Sequence, residues 1–205
     1  ITVRWSDERG AWKRRSFVSR DADVAVFELQ ASSAGKLNCA ISLQMPAEMN
    51  FPKGLKTKCL HTKDYLNIRV NYAAPMDTIG YEGGIRVKQK GGSSFLRNDT
   101  LYIKDASEIL LLSQTQKYPE NCEAEWNKGL LKKGLDAIRA NYNGLLKAHK
   151  ALHTSIYNRV RIDLGATPQE RSLSNEELLE KQKNTDQPVL ALWERIFDAG
   201  RYHFL

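Results

Sequence analysis

The stretch "AHKALHTSIYNRVRIDLG", residues 148–165, decides how the chain is read. It opens in helical rhythm, with Leu152, His153, Ile156 and Tyr157 at three- and four-residue steps that share one helix face, and His149 and His153 stacked one turn apart. It closes on an alternation, Val160, Ile162 and Leu164 against Arg161 and Asp163, which predicts one short strand before Gly165 releases the chain. A helix running into a lone strand fits a linker better than a repeat, so the segments on either side should differ in kind.

They do. Up to about Thr115 the chain is written in short alternating segments separated by Gly, Asn, Asp and Ser, the spacing of an antiparallel β-sandwich. "ITVRW", the turn "SDERGA" and "WKRRSFVS" predict one hairpin; "VAVFELQ", the turn "ASSAG" and "KLNCAISLQ" predict a second, with Leu37, Cys39, Ile41 and Leu43 on one face. Residues 46–62 are irregular. "YLNIRVNY", "GIRVKQKGG", "SFLRNDTLYIK" and "EILLLSQTQ" resume the pattern, with Asn98-Asp99 as a hairpin turn. The consecutive apolar run Ile109–Leu112 predicts a strand buried on both faces, inside the sandwich.

From Asn121 the period becomes helical. Trp126, Leu130, Leu131, Leu135 and Ile138, then Leu145, Leu146 and His149, predict two amphipathic helices with a break at Asn141 to Gly144. After "VRIDLG" the polar "ATPQERSLSN" reads as a linker. Ser174 with Glu177 three residues on forms a capping box for "NEELLEKQK". "PVLALWERIFDAGRYHFL" predicts a last helix whose apolar residues Leu190, Trp193, Ile196, Phe197, Tyr202, Phe204 and Leu205 need a partner. The organisation expected is therefore a sandwich portion over 1–120, linker helices and a returning strand over 121–165, and a loop with further helices over 166–205.

Composition excludes several classes. The 205 residues carry a net charge of +7 that is dispersed, the densest patch being "WKRRSF" at Trp12 to Phe17, where Lys and Arg alternate with apolar residues as on a solvated strand face; no nucleic-acid partner is expected. There is no apolar run of about eighteen residues, hence no membrane span, and no charged-then-apolar leader at the front. The first residue, Ile1, already lies in a strand-like alternation, so the chain reads as a piece of something longer that stops before its last helix is covered. Cys39, Cys59 and Cys122 have no paired spacing and give neither a disulfide scaffold nor a CxxC site.

Candidate chemistry is sparse. His149 and His153 have the i, i+4 spacing of zinc helices, but Lys150 stands where HExxH has its catalytic Glu and no third ligand is near in sequence; packing and hydrogen bonding account for the pair, and no metal or other cofactor is expected. Gly83-Gly84 and Gly91-Gly92 read as turn glycines, since neither leads into a helix N-terminus that would receive a phosphate. Asn98-Asp99-Thr100 fits the N-glycosylation pattern but coincides with a turn. Glu123, Glu125, Glu176 and Glu177 sit in first turns of helices, where the macrodipole explains them without a glycosidase carboxylate pair. Trp5, Trp12 or Tyr81 could stack on a sugar ring, or pack across strands. No catalytic residue is assigned, and no substrate-binding residue can be named.

The order of these pieces resembles the family 95 glycoside hydrolases, the 1,2-α-L-fucosidase group. The likeness is carried by Thr2 to Trp5 followed by Trp12 to Ala31, including Arg14, Phe17, Ser19 and Asp23; by His149, His153, Tyr157, Arg159, Val160, Leu164 and Gly165 in the linker; loosely by Leu173 to Leu178; and by Ile196, Phe197, Gly200, Arg201 and Tyr202 in the "GRY" helix. His153 and His203 depart from that family's pattern, which leaves the sugar open. The resemblance implies a non-catalytic part of an inverting α-L-fucosidase-like enzyme: part of its N-terminal β-sandwich, its linker helices and the start of an (α/α)6 barrel. It further implies carbohydrate as the partner, bound through barrel residues outside this chain, and a periplasmic or extracellular bacterial location. Twelve barrel helices of roughly eleven or twelve residues need about 130 to 150 residues before loops, whereas the sequence predicts about four helices, of which only the last would belong to the barrel, so the fragment should lack hydrolase activity and could self-associate through residues 188–205. The alternatives are a free-standing carbohydrate-binding or interaction sandwich, and a fragment of a disaccharide phosphorylase with the same sandwich, linker and barrel order.

Overall fold

A computed structural model describes residues 1–32, 37–45, 51 and 53–204. The chain forms two compact units, Ile1–His149 and Lys150–Leu205. Among the described residues ten strands fill most of the first: β1 (Thr2–Asp7), β2 (Gly10–Ser19), β3 (Val24–Ala31), β4 (Leu37–Ser42), β5 (Lys56–His61), β6 (Tyr65–Asn71), β7 (Gly80–Lys90), β8 (Ser93–Arg97), β9 (Thr100–Ala106) and β10 (Glu108–Tyr118). Helices α1 (Cys122–Lys128), α2 (Leu130–Ala137) and α3 (Tyr142–Tyr157) follow; the boundary between the units falls inside α3.

The strands build two antiparallel sheets, seven strands in the order β1-β2-β3-β10-β7-β6-β5 and three in the order β4-β9-β8. This is the expected sandwich class with an unequal pair of sheets. Between them lie Leu66, Val87 and Ile109 from the large sheet and Leu37, Leu101, Ile103 and Ala106 from the small one. The other face of the large sheet is covered over its central strands. Val24, Val26, Leu110 and Leu112 pack there against Leu131 and Leu135 of α2 and Tyr142 and Leu145 of α3. Ile109–Leu112 is thus buried on both faces as its composition predicts, with a sheet on one side and helices on the other. Because strand side chains alternate, two apolar layers can be fed from one uninterrupted apolar run.

Several expectations are corrected. The β1–β2 hairpin forms in the expected register, with Trp5 opposite Trp12, but β3 and β4 do not pair. Both edges of β3 are taken, by β2 and β10, and β4 crosses to the other sheet to pair with β9; the intervening turn "ASSAG" falls largely outside the described residues. The irregular region contains β5, whose sequence KTKCLH lacks apolar alternation because it is an edge strand paired with β6 alone. Asn98 and Asp99 both adopt positive φ, 48° and 55°, and Gly91 and Gly92 do likewise at 72° and 68°, as tight hairpin turns require.

Gly83 and Gly84, by contrast, are not turn residues. They lie inside β7, and a Cβ on Gly84 would stand 2.6 Å from the Tyr65 hydroxyl oxygen and 3.1 Å from Leu131 Cδ2. The glycine leaves the space that lets α2 approach the sheet. The helical segment from Asn121 is also divided once more than the sequence suggests. Gly129, in the left-handed region at φ 62°, ends α1 and begins α2, and Asn141 starts α3 by accepting a hydrogen bond from the Gly144 amide at 2.7 Å.

In the second unit "VRIDLG" has no regular structure and pairs with no strand among the described residues. Its amides turn to side chains instead: Leu164 N donates to Glu194 Oε1 at 2.8 Å and Gly165 N to Asp163 Oδ1 at 2.9 Å. The supposed linker holds α4 (Pro168–Ser172), capped by Thr167, with Pro at its first position. The capping box at Ser174 and Glu177 is present at the start of α5 (Asn175–Lys183), and α6 (Leu190–Phe204) is the expected last helix. Its buried side chains are Ala191, Leu192 and Glu194, whereas Trp193, Ile196, Tyr202 and Phe204 of the expected apolar face are exposed; Leu205 lies outside the described residues.

Two glycine substitutions separate space from propensity. A Cβ on Gly80 would meet the Val70 carbonyl oxygen at 2.6 Å, whereas one on the exposed Gly134 of α2 would meet nothing within 4 Å. Urea unfolding should show Gly80→Ala destabilised by about 2 kcal/mol through overpacking against backbone, and Gly134→Ala stabilised by up to about 1 kcal/mol through helix propensity.

Candidate functional site

The chemistry concentrated in the first unit is a set of arginines that rise from the large sheet and grip the helices above it. On β6, alternation points Leu66, Ile68 and Val70 toward the small sheet, so Tyr65, Asn67 and Arg69 face the helices. On β7, Gly80, Glu82, Gly84 and Arg86 face the same way. Glu82 is 2 % exposed and fully engaged. It accepts from Asn67 Nδ2 at 2.8 Å, Arg69 Nε at 3.2 Å and the Tyr118 hydroxyl at 3.0 Å. Arg69 also donates through Nη2 to the Trp126 carbonyl at 2.9 Å, in the last turn of α1, with its guanidinium 5.6 Å from the Trp126 ring centre.

The pattern recurs twice. Arg86 Nη1 donates to the carbonyls of Leu135 at 2.8 Å and Ile138 at 2.7 Å, at the C-terminal end of α2, while Nε stands 3.5 Å from Asp136 Oδ1. Arg15 Nε donates to Glu28 Oε2 at 2.6 Å, Nη1 reaches Asn143 Oδ1 at 3.3 Å, and the guanidinium lies 3.9 Å over the Tyr142 ring in the first turn of α3. One arginine per helix, each with a carboxylate beside it, ties α1, α2 and the start of α3 to the sheet. Two of the three satisfy C-terminal carbonyls that would otherwise lack donors, at the end of the helix that favours positive charge.

Electrostatics follow this burial. Desolvation, with the Glu82 charge adding to it, pushes the Tyr65 phenol up to about 12, and desolvation with the hydrogen bond to Glu82 pushes Tyr118 well above its ordinary range. Burial likewise raises the thiols of Cys39, Cys59 and Cys122, which are all free, so none is primed as a nucleophile.

The residues singled out from the sequence are placed as follows. His149 Nδ1 accepts from the Arg20 amide at 3.3 Å, with its ring 5.4 Å from Phe17. In the second unit His153 packs 5.6 Å from Tyr157 and 5.0 Å from Tyr202. Among the described residues no three His, Cys, Asp or Glu side chains gather as metal ligands. Trp5 and Trp12 stack on each other across the hairpin, 6.5 Å apart, and Trp12 is further held by its Nε1 donating to Asp7 Oδ1 at 3.2 Å. Tyr81 packs 6.4 Å from Tyr72. Glu123, Glu125, Glu176 and Glu177 occupy first turns of α1 and α5.

Sequence reasoning missed Arg15, Arg69, Arg86 and Glu82 as a group. Their signal was present: in "VAVFE" Glu28 occupies the same face as Val24 and Val26, and in "YLNIRV" Arg69 shares a face with Tyr65. A charge in an inward-facing position of a strand asks for a partner.

A second ionic knot holds the second unit. Glu194, 8 % exposed, takes a bidentate grip from Arg171, Nε at 2.8 Å and Nη2 at 2.9 Å, and accepts the Leu164 amide at 2.8 Å; Arg171 Nη2 also reaches Asp163 at 2.7 Å. Arg195 binds the Leu173 and Arg171 carbonyls, both at 3.0 Å, so α6 holds the chain from Asp163 to Asn175.

These features define a class before they define a family: a two-sheet antiparallel sandwich whose large sheet carries helices clamped across its outer face. Residues 1–119 match the family described as glycosyl hydrolase family 65, N-terminal domain, and the chain belongs to that family. Among solved structures it is similar to a protein from the human microbiome assigned as a kojibiose phosphorylase, with a TM-score of 0.53 and 10% sequence identity over 76% of this chain and 23% of that one. At that identity the likeness establishes the fold, a sandwich followed by helices, and the chain spans less than a quarter of that protein. No curated protein matches the chain. The family established is thus 65 in its N-terminal domain; the fucosidase specificity that the resemblance to family 95 implies is not part of it.

The Arg171 guanidinium and the Leu164 amide hold the Glu194 carboxyl down to about 2, from an ordinary 4.5. A carboxylate more acidic in the folded state stabilises it above its unfolded pKa, and that contribution disappears as pH falls from about 4.5 toward 2. Thermal unfolding of the second unit should therefore lose stability across that window in the wild type, whereas Glu194→Gln should start lower at neutral pH and show a flatter acid limb.

Proposed function

We propose that this chain is the non-catalytic sandwich-and-helix scaffold of an enzyme that cleaves glycosidic bonds, and that the parent is a disaccharide phosphorylase. The observation that carries the reading is the family 65 N-terminal domain over residues 1–119, and the solved phosphorylase with the same succession of sandwich and helices supports it. The sheet-and-arginine clamp suits such a role: it fixes helices by satisfying their ends and offers no group to the substrate. Carbohydrate would be bound by the parent's catalytic domain, and α6 would present its exposed Trp193, Ile196 and Tyr202 to further helices of that domain. A periplasmic or extracellular site of action goes only with the fucosidase-like reading given next.

A second reading, an inverting α-L-fucosidase parent, is favoured by the linker residues His149, Tyr157, Arg159, Val160, Leu164 and Gly165 and by Gly200, Arg201 and Tyr202. The two differ in their co-substrate. In a phosphorylase, phosphate replaces water as the acceptor of the glycosyl group.

The parent polypeptide, incubated with kojibiose and with a terminal α-1,2-fucosyl glycan, each with and without inorganic phosphate, separates them. Phosphate-dependent consumption of the disaccharide is the expected result, and phosphate-independent release of fucose would transfer the assignment to the second reading. Activity toward neither would remove both. The 205-residue chain alone should turn over none of these substrates.

A further inference from the structure

Of the three arginine clamps, the one on α3 is the least complete. Arg69 and Arg86 donate to helix carbonyls at 2.9 Å or less, whereas Arg15 reaches α3 through a neutral side-chain amide, Asn143 Oδ1, at 3.3 Å. Asn143 is followed by Gly144, the one Asn-Gly pair in the 205 residues. That pair has a chemistry of its own: with no Cβ on the second residue, its backbone nitrogen meets little hindrance in attacking the asparagine Cγ. Three features around the pair bear on this reaction. Asn143 and Gly144 are both exposed in the first turn of α3, so water and hydroxide reach them. The Gly144 amide, a first-turn donor with no partner inside the helix, is held by Asn141 Oδ1 at 2.7 Å, and the Leu145 amide by the Asn141 carbonyl at 3.0 Å. While this cap is closed Asn143 keeps a helical ψ, which turns the Gly144 nitrogen away from the Asn143 side chain. Finally, Arg15 Nη1 donates to Oδ1, the oxygen on which charge develops when Cγ is attacked. Glu28, 3% exposed, fixes that arginine by accepting from its Nε at 2.6 Å.

We propose that Asn143 is a site of spontaneous deamidation, gated by the Asn141 cap and steered by Arg15. When the first turn of α3 opens, the Gly144 nitrogen gives its proton to hydroxide and bonds to Asn143 Cγ. The side-chain nitrogen takes a proton from water and leaves as ammonia, so the bond from Cγ to the side-chain nitrogen is exchanged for one to the backbone nitrogen. A cyclic succinimide remains, and a water molecule opens it. Addition at Cγ breaks the new bond, restores the ordinary peptide link and leaves aspartate. Addition at the Asn143 backbone carbonyl leaves isoaspartate, with an extra methylene in the main chain. The guanidinium polarises the Cγ carbonyl and so favours the first route. An aspartate at position 143 sets a carboxylate against Arg15 and a negative charge in the first turn of α3, and both are stabilising. The modification thus turns the weak third clamp into an ion pair.

Peptide mapping by mass spectrometry of the 205-residue chain, aged in mildly alkaline buffer, reads both the position and the product. Conversion at Asn143 should be at least about tenfold slower in the folded chain than in urea, because the helical turn must open first. Asn141→Ala, which removes the cap acceptor, should speed it about fivefold, and Asn141→Asp, which keeps an acceptor, should leave it near the wild-type rate. Arg15→Lys retains a charge beside Glu28 without the planar fork and should raise the isoaspartate share at least about twofold. Asn143→Asp, the product made directly, should slow hydrogen exchange in the first turn of α3 at least about twofold. No conversion at Asn143 in the folded wild type or in Asn141→Ala, while the chain in urea converts, overturns the proposal. Equal rates in the wild type and Asn141→Ala overturn the gate, and an isoaspartate share unchanged in Arg15→Lys overturns the steering.

Discussion

The first unit depends on a constraint that a sheet with helices across one face always meets: the helices' terminal carbonyls come down onto an apolar layer, where water cannot reach them. This chain answers with arginine. Arg69 and Arg86 carry donors up through the sheet face to the ends of α1 and α2, and Arg15 does the equivalent for α3 through Asn143 and the Tyr142 ring. A guanidinium fits because it is always charged, weakly hydrated, and holds several donors in one plane, so it can serve a carboxylate and a carbonyl at once. Lysine could not divide itself this way.

The carboxylates are the counterpart. Glu82 would be untenable at its depth alone, since breaking such a buried pair typically costs about 3 to 5 kcal/mol. Its three donors come from the two strands that flank β7, Asn67 and Arg69 on β6 and Tyr118 at the end of β10. The network thus records which strands are neighbours. A register slip of one residue would turn Glu82 into the sandwich interior and strand it there, which gives the polar cluster a part in specifying the fold as well as in holding it. The second unit repeats the device in miniature, Glu194 and Arg171 fastening a segment without regular structure and a short helix to α6.

How far this was legible in the sequence follows from the range of each interaction. The β1–β2 hairpin, the Asn98-Asp99 turn and the Ser174 capping box are local, and each is written within a few residues of itself. The buried run Ile109–Leu112 was legible as well, though not that its second face meets helices. Pairing beyond the nearest strand was not: nothing in "VAVFELQ" says that its neighbours are β2 and β10 and not the strand that follows it. Gly84 misled for a related reason, because it is small on account of Leu131 and Tyr65, residues distant in sequence. Val160 to Leu164 alternated like a strand and found no ladder among the described residues, the amides of Leu164 and Gly165 being taken by carboxylates that sequence period cannot reveal. For the candidate site, the arginine clamp, whose members are 54 and 17 residues apart in sequence, was not legible.

The account stands on the arginines holding the helices to the sheet, and native-state hydrogen exchange in Arg86→Met tests that most directly. Removing the guanidinium strands the Leu135 and Ile138 carbonyls while keeping the apolar stem. Amides of α2 should exchange at least about tenfold faster than in the wild type, the equivalent of about 1.4 kcal/mol of lost local protection, with those of β9 and β10 little changed. Unaltered protection in α2, or a uniform loss across both sheets and helices, would contradict it.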